Sequence, residues 1–205
     1  MVAKLSANDH KKLLEDTLAE NVTFKLLEGT MPCQIMVDGF CFYVYVKTLS
    51  SAHLKGSDDV WRAQLPRHED FEKIKTASTP IIFLGYDTDN DVYATWNPHV
   101  VKQRLNEAKY VSFYSRLSGQ QEAHDEDKFV RKQLNNDGEV LIFPRSKLNS
   151  YLATPLIDTE DACFGLNASR LIAKGDLKWR DALLVAPRVN SNQKCDNRGS
   201  FCSIF

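Results

Sequence analysis

Asp38-Gly39 stands between two runs that both favour strand, Gln34-Ile35-Met36-Val37 and Phe40-Cys41-Phe42-Tyr43-Val44-Tyr45-Val46. This dipeptide supplies the positive φ angles of a type I′ turn, so the segment predicts a tight antiparallel hairpin. A chain that makes this hairpin is committed to a sheet, and the sequence continues in the same manner. Short β runs recur at 21–27, 60–65, 80–86, 91–96, 110–114, 128–132 and 140–143, the last after the turn residues Asn135-Asn136-Asp137-Gly138. Helical signals are fewer. Ser6 is placed to cap a helix through Leu18, with Asp9 three residues on, and short helices fit at 68–76, 99–106 and 145–152. Many short strands with helices at the joints predict a mainly β chain with short helices, a barrel or sandwich rather than a parallel sheet.

Charge names no partner by itself, because 26 Lys+Arg against 27 Asp+Glu leave a formal net charge of -1 over 205 residues. A nucleic-acid binder of this composition has to concentrate its positive charge locally. No run approaches the roughly 18 apolar residues of a membrane helix, and the first twenty residues are charged and amphipathic rather than a signal peptide. The expectation is a cytoplasmic protein with no membrane partner. The five cysteines, Cys33, Cys41, Cys163, Cys195 and Cys202, include no C-x-x-C pair. Neither a zinc site nor a disulfide framework is signalled, and buried thiols are expected. Two parts are expected: a domain over 1–153 including the N-terminal helix, and a C-terminal extension or linker over 154–205. From Ala168 to Phe205 seven Lys/Arg face three Asp/Glu.

Of two apparent catalytic or metal motifs, one fails on its chemistry and the other lacks the surroundings its chemistry needs. Asp87-Thr88-Asp89-Asn90-Asp91 begins like a calcium loop, but the sixth and twelfth positions hold Val92 and Pro98 instead of Gly and Glu. A hairpin turn accounts for the same residues. Asp158 with Asp176-Leu177-Lys178 has the spacing of a nuclease in which carboxylates hold Mg²⁺ and a lysine orients the attacking water. Its surroundings, Lys174-Gly175 to Trp179-Arg180, are too polar for the buried strand such a motif needs, and a chain this rich in charge produces such triplets by chance.

Two polar segments are better candidates. In the first, a strand at 92–96 leads to a turn dense in Lys102, Gln103, Arg104, Asn106, Glu107 and Lys109 before the next strand begins. From His99 to Arg116 four Lys/Arg face one Asp/Glu. Arginine can bond guanine O6 and N7, glutamate accepts from cytosine N4, asparagine or glutamine pairs with adenine, and lysine holds phosphates. The second segment follows the strand at 40–46 and carries Lys47, Ser50, Ser51, His53, Lys55 and Ser57, then Arg62. Long loops between strands are commonly functional, and these two are expected to clamp a duplex.

At these two segments the chain resembles the N-terminal effector-DNA-binding domain of EcoRII-type restriction endonucleases. The resemblance rests on Phe42-Tyr43-Val44-Tyr45-Val46-Lys47-Thr48-Leu49-Ser50, the arm up to Leu65-Pro66, and Val92-Tyr93 leading to Lys102-Gln103-Arg104-Leu105-Asn106-Glu107-Ala108-Lys109. Leu105 and Ala108 each interrupt the family's second-arm run by one residue. The resemblance implies a DNA-binding pseudobarrel, a seven-stranded open barrel of the kind found in plant auxin- and abscisic-acid-response factors, whose two arms enter the major groove. It implies recognition of double-stranded DNA, at a CCWGG-like site, by the target or effector domain of a type II restriction endonuclease. Binding then needs no cofactor, while Mg²⁺ serves a nuclease domain fused to the chain or acting in trans. Two alternatives stay open: a self-contained Mg²⁺ endonuclease using Asp158, Asp176 and Lys178, and a non-catalytic docking subunit of a restriction-modification complex.

Overall fold

The computed structural model describes residues 5–21, 23–37, 39–54, 56–134 and 138–152. Ser6 begins the first helix as the sequence predicts. Its Oγ accepts from the Asp9 amide at 3.2 Å while its own amide donates to Asp9 Oδ2 at 2.8 Å, a reciprocal capping box. The helix, α1 (Ala7–Leu18), turns His10, Leu14 and Leu18 inward at intervals of four. The next strand starts later than the run at 21–27 predicts. The Asn21 side chain accepts from the Thr23 amide at 2.9 Å and the Thr23 hydroxyl at 2.7 Å, a local turn that competes with extended pairing. β1 (Lys25–Gly29) follows it.

β2 (Cys33–Val37) and β3 (Phe40–Thr48) form the expected hairpin, with Val37 opposite Phe40 and Gly39 at a φ of 82°. Then come β4 (Ser50–Ser51), β5 (Val60–Pro66), α2 (Asp70–Thr76), β6 (Ile81–Asp87), β7 (Val92–Trp96), α3 (Pro98–Arg104), β8 (Tyr110–Arg116), α4 (Leu117–Asp125), β9 (Val130–Leu134), β10 (Gly138–Pro144), a 3-10 turn at Arg145–Lys147 and α5 (Leu148–Leu152). The chain is mainly β with short helices. Its strands form a seven-stranded sheet ordered β1-β2-β3-β6-β7-β10-β9 and a three-stranded sheet ordered β4-β5-β8. The larger sheet is open, with β1 and β9 as its edges. It is also mixed, because β3 and β6 pair in parallel, which the sequence does not predict. The long connection through β4, β5 and α2 carries the chain back to the starting end of β3, which a parallel partner requires.

The two sheets share one core. Phe83 of β6 stacks on Trp96 of β7 at 5.3 Å, and Phe113 of β8 meets Phe83 at 5.2 Å and Trp96 at 5.4 Å. Trp96 Nε1 donates to the Tyr114 carbonyl at 2.8 Å, so the indole satisfies its polar atom while bridging the sheets. Gly85 makes this approach possible, since a Cβ there would lie 2.9 Å from Leu49 and 3.0 Å from Trp96. The residues Asp87 to Asp91 are the predicted hairpin turn. Asp87 accepts from the Asp89 amide at 2.9 Å, and Asp91 accepts from Arg145 at 2.7 and 3.1 Å and from the Tyr86 hydroxyl at 2.7 Å. Among the described residues no group of three or more His, Cys, Asp or Glu is placed to hold a metal ion, and no helix is long and apolar enough to cross a membrane. Cys33 is a buried free thiol whose pKa burial pushes up to about 12, which makes it inert near neutrality.

Candidate functional site

β5 and β8 pair antiparallel through seven positions, from Val60 opposite Arg116 to Pro66 opposite Tyr110. Side chains alternate across a strand, and the burial follows that alternation. Ala63, Leu65, Val111, Phe113 and Ser115 are buried toward the core. Arg62, Gln64, Ser112, Tyr114 and Arg116 therefore share the opposite face, with Arg62 across from Tyr114 and Gln64 across from Ser112. Ser50 of β4 pairs with Arg62 and extends that face by one strand. Tyr110, 54% exposed, ends it. The face carries two arginines and no carboxylate.

The two predicted arms lie at opposite ends of this ladder, about 20 Å apart at about 3.4 Å per residue. The first arm joins β4 to β5 and emerges beside Val60 and Arg116, where the Ala52 amide donates to the Val60 carbonyl at 2.9 Å. Ser50 is exposed on β4; the Ser51 hydroxyl accepts from the His53 amide at 3.2 Å; His53 is exposed at a φ of 52°. The Ser57 amide donates to the Leu54 carbonyl at 3.0 Å, closing the loop tip. Lys55 lies outside the described residues. Lys47 is placed elsewhere, on β3 opposite Gly85 and near His10 of α1. Burial and the Lys47 charge together lower the His10 pKa to about 4.

The second arm leaves α3 and enters β8 beside Tyr110 and Pro66. Asn97 starts α3 by accepting from the His99 amide at 2.9 Å, with Pro98 in the first turn. The helix ends at Arg104, earlier than predicted, because Asn106 takes a left-handed φ of 56°. Its carboxamide Oδ1 accepts from the His68 amide at 3.0 Å, and its Nδ2 donates to the His68 carbonyl at 3.1 Å and Glu72 Oε1 at 2.7 Å. Asn106 is thus a staple between this arm and the start of α2, with its donors already used. Lys102 is likewise turned inward: it is 7% exposed and its ammonium donates to the Ala77 carbonyl. Gln103 is exposed and contacts His99 Nε2 at 2.8 Å. Arg104 lies 4.6 Å over the Phe113 ring and 3.5 Å from Glu107, which is largely exposed. Lys109 is exposed, with its ammonium 5.7 Å from the Tyr110 ring centre. Its carbonyl accepts from the Arg67 amide at 3.0 Å, lengthening the ladder by one bond.

The sequence reading missed Gln64, Ser112, Tyr114 and Arg116. Their signal is the partial alternation of Arg62-Ala63-Gln64-Leu65 and Val111-Ser112-Phe113, which defines a polar face once the two strands are paired. Asp158, Asp176 and Lys178 lie outside the described residues, as does the segment 154–205.

Among protein families, the one described as methylase-associated X1 matches residues 40–152, more than half of the chain. The chain belongs to the methylase-associated X1 family. Its match spans β3 to α5 and takes in both arms and the whole β5–β8 face. A methylase-associated domain fits a restriction-modification context, which is the coarser part of the expectation from sequence. The match is to methylase-associated X1 and not specifically to the effector domain of EcoRII-type endonucleases. No curated protein and no solved structure matches the chain.

Proposed function

We propose that this methylase-associated X1 chain is a sequence-specific duplex-DNA recognition module of a restriction-modification system, without chemistry of its own. The observation that carries the reading is the acid-free polar face of β5 and β8, flanked at both ends by polar loops. In a chain of net charge -1, a face with Arg62 and Arg116 and no carboxylate is the local concentration of positive charge that a phosphate ligand requires. Lys109 and Arg104 at one end, with His53 and Arg116 at the other, hold the two backbones of the duplex. Glu107, Gln103, Ser50, Ser51 and Ser57 complete the polar rim. The pseudobarrel with two arms and a CCWGG-like target, as in EcoRII-type effector domains, is the finer form of the same reading. A nuclease partner, fused or in trans, then supplies cleavage and its Mg²⁺.

Equilibrium binding to a duplex across a salt series tests the function. Each phosphate neutralised lowers the slope of log affinity against log salt by about 0.9, so a slope of about -3 or steeper is expected. A flat slope, or no binding at low salt, overturns the reading and leaves a docking subunit.

A further inference from the structure

We infer that base edges are read by the β5–β8 face, through Arg62 and Gln64, while the loop before β8 grips the backbone. This rests on the duplex-DNA reading above. The division follows from which side chains are already engaged. In α3 and the loop after it, Asn106 is stapled to His68 and Glu72, Lys102 is buried against Ala77, and Arg104 is held by Glu107 and the Phe113 ring. On the face, the side chains of Arg62, Gln64, Ser112 and Arg116 make no hydrogen bond or ion pair with another described residue, and Arg62 Nε is buried without an acceptor. Nothing among the described residues competes with a ligand for these donors.

The dimensions agree with this division. The major groove is about 12 Å wide and admits a two-stranded β ribbon, and β4 adds only two residues beside β5. Arg62 and Gln64, two residues apart on one face, are about 7 Å apart along the strand, close to two base-pair rises of about 3.4 Å. With the ribbon running along the groove, Arg62 donates to O6 and N7 of a guanine and Gln64 makes the paired donor and acceptor bonds to an adenine two steps away. The ladder's length of about 20 Å limits direct reading to about six base pairs.

Selection of bound sites from a random duplex pool, with the full chain and with its Gln64→Ala, Arg62→Lys and Lys109→Ala variants, tests the inference, with a thermal melt for each. The parent chain is expected to enrich a motif of six base pairs or fewer. Gln64→Ala is expected to lose about tenfold discrimination at one adenine, and Arg62→Lys to broaden one guanine two positions away, while Lys109→Ala weakens all sequences alike and keeps the motif. Should Arg62→Lys melt lower than the parent, Gln64→Ala decides alone. Enrichment of the parent motif at parent stringency by Gln64→Ala overturns the inference while leaving the DNA reading intact. A parent chain that retains no duplex overturns both.

Discussion

The two sheets of this protein use the same alternation of side chains to opposite ends. In the larger sheet β6 and β7 are buried along their whole length, on both faces, and their residues read as Ile81-Ile82-Phe83-Leu84-Gly85-Tyr86 and Val92-Tyr93-Ala94-Thr95-Trp96. In the smaller sheet β8 buries every second residue and β5 does so from Ala63 on, and Arg62, Gln64, Ser112 and Arg116 are among those left partly exposed. β6 and β7 thus commit both faces to the core and leave none for a ligand, while the edge strands β1 and β9 are partly exposed. The smaller sheet anchors one face with Phe113 and presents the other. On the proposed function, a methylase-associated X1 domain of this form separates stability from recognition by strand face, and substitutions on the two sides of one strand are expected to have opposite signatures.

The largest effect belongs to the anchor. Phe113→Ala removes a ring that packs on Phe83, Trp96 and the Arg104 guanidinium, and a loss of about 3–5 kcal/mol is expected in urea unfolding. An effect under about 1 kcal/mol would show that the two sheets do not share a core. The second comes from His10, held neutral beneath β3 with its Nε2 3.1 Å from the Thr48 hydroxyl. Its pKa falls from an ordinary value of 6.5 to about 4 on folding, so its stabilising contribution is complete above pH 6.5 and is lost as the pH falls toward 4. About 3 kcal/mol of stability is expected to disappear across that window. His10→Gln should flatten the profile between those pH values, and an unchanged profile would assign the acid sensitivity to another group.

A smaller effect is expected where the smaller sheet is tied to the scaffold. Asp59 caps α4 from a distant part of the chain: its carboxylate accepts from the Ser118 amide at 2.7 Å and the Ser118 hydroxyl at 3.1 Å. Asp59→Ala should cost about 1 kcal/mol in a thermal melt. The smallest stability effect is expected on the polar face. Arg116→Ala should stay within about 0.5 kcal/mol of the parent, yet weaken duplex binding and reduce the salt slope by about 1. Loss of stability without a change in binding would place Arg116 with the scaffold and erase the contrast between faces.

What was legible in the sequence follows the range of the interactions involved. The hairpin through Gly39, the capping box at Ser6 and Asp9 and the turn after Asp87 are local, and each was read from adjacent residues. α4 was invisible because its cap comes from Asp59 and not from Arg116, the residue that precedes it. The parallel β3–β6 pair and the β5–β8 ladder join segments far apart in the chain, and no local pattern announces a partner. The site was half legible for the same reason. Polar loops stand out by composition, so His53, Arg104 and Lys109 were singled out. A one-residue alternation in two separate strands becomes a surface only after pairing, so Gln64, Ser112, Tyr114 and Arg116 were not. Composition also does not reveal that Lys102 and Asn106 are engaged within the protein, where their polar atoms serve Ala77 and His68.

Hydroxyl-radical footprinting of the full chain, with and without a saturating duplex, tests the contrast most directly, because each sheet carries exposed reporters. Tyr110 is 54% exposed at the end of the β8 face, whereas Leu27 on β1 and Phe129 before β9 are 40% and 39% exposed at the edges of the larger sheet. Protection of Tyr110 and Tyr114 by the duplex, with Leu27 and Phe129 oxidised at the free-protein rate, is the expected result. Protection of Leu27 or Phe129 with Tyr110 and Tyr114 unchanged would contradict the account and move recognition to the larger sheet.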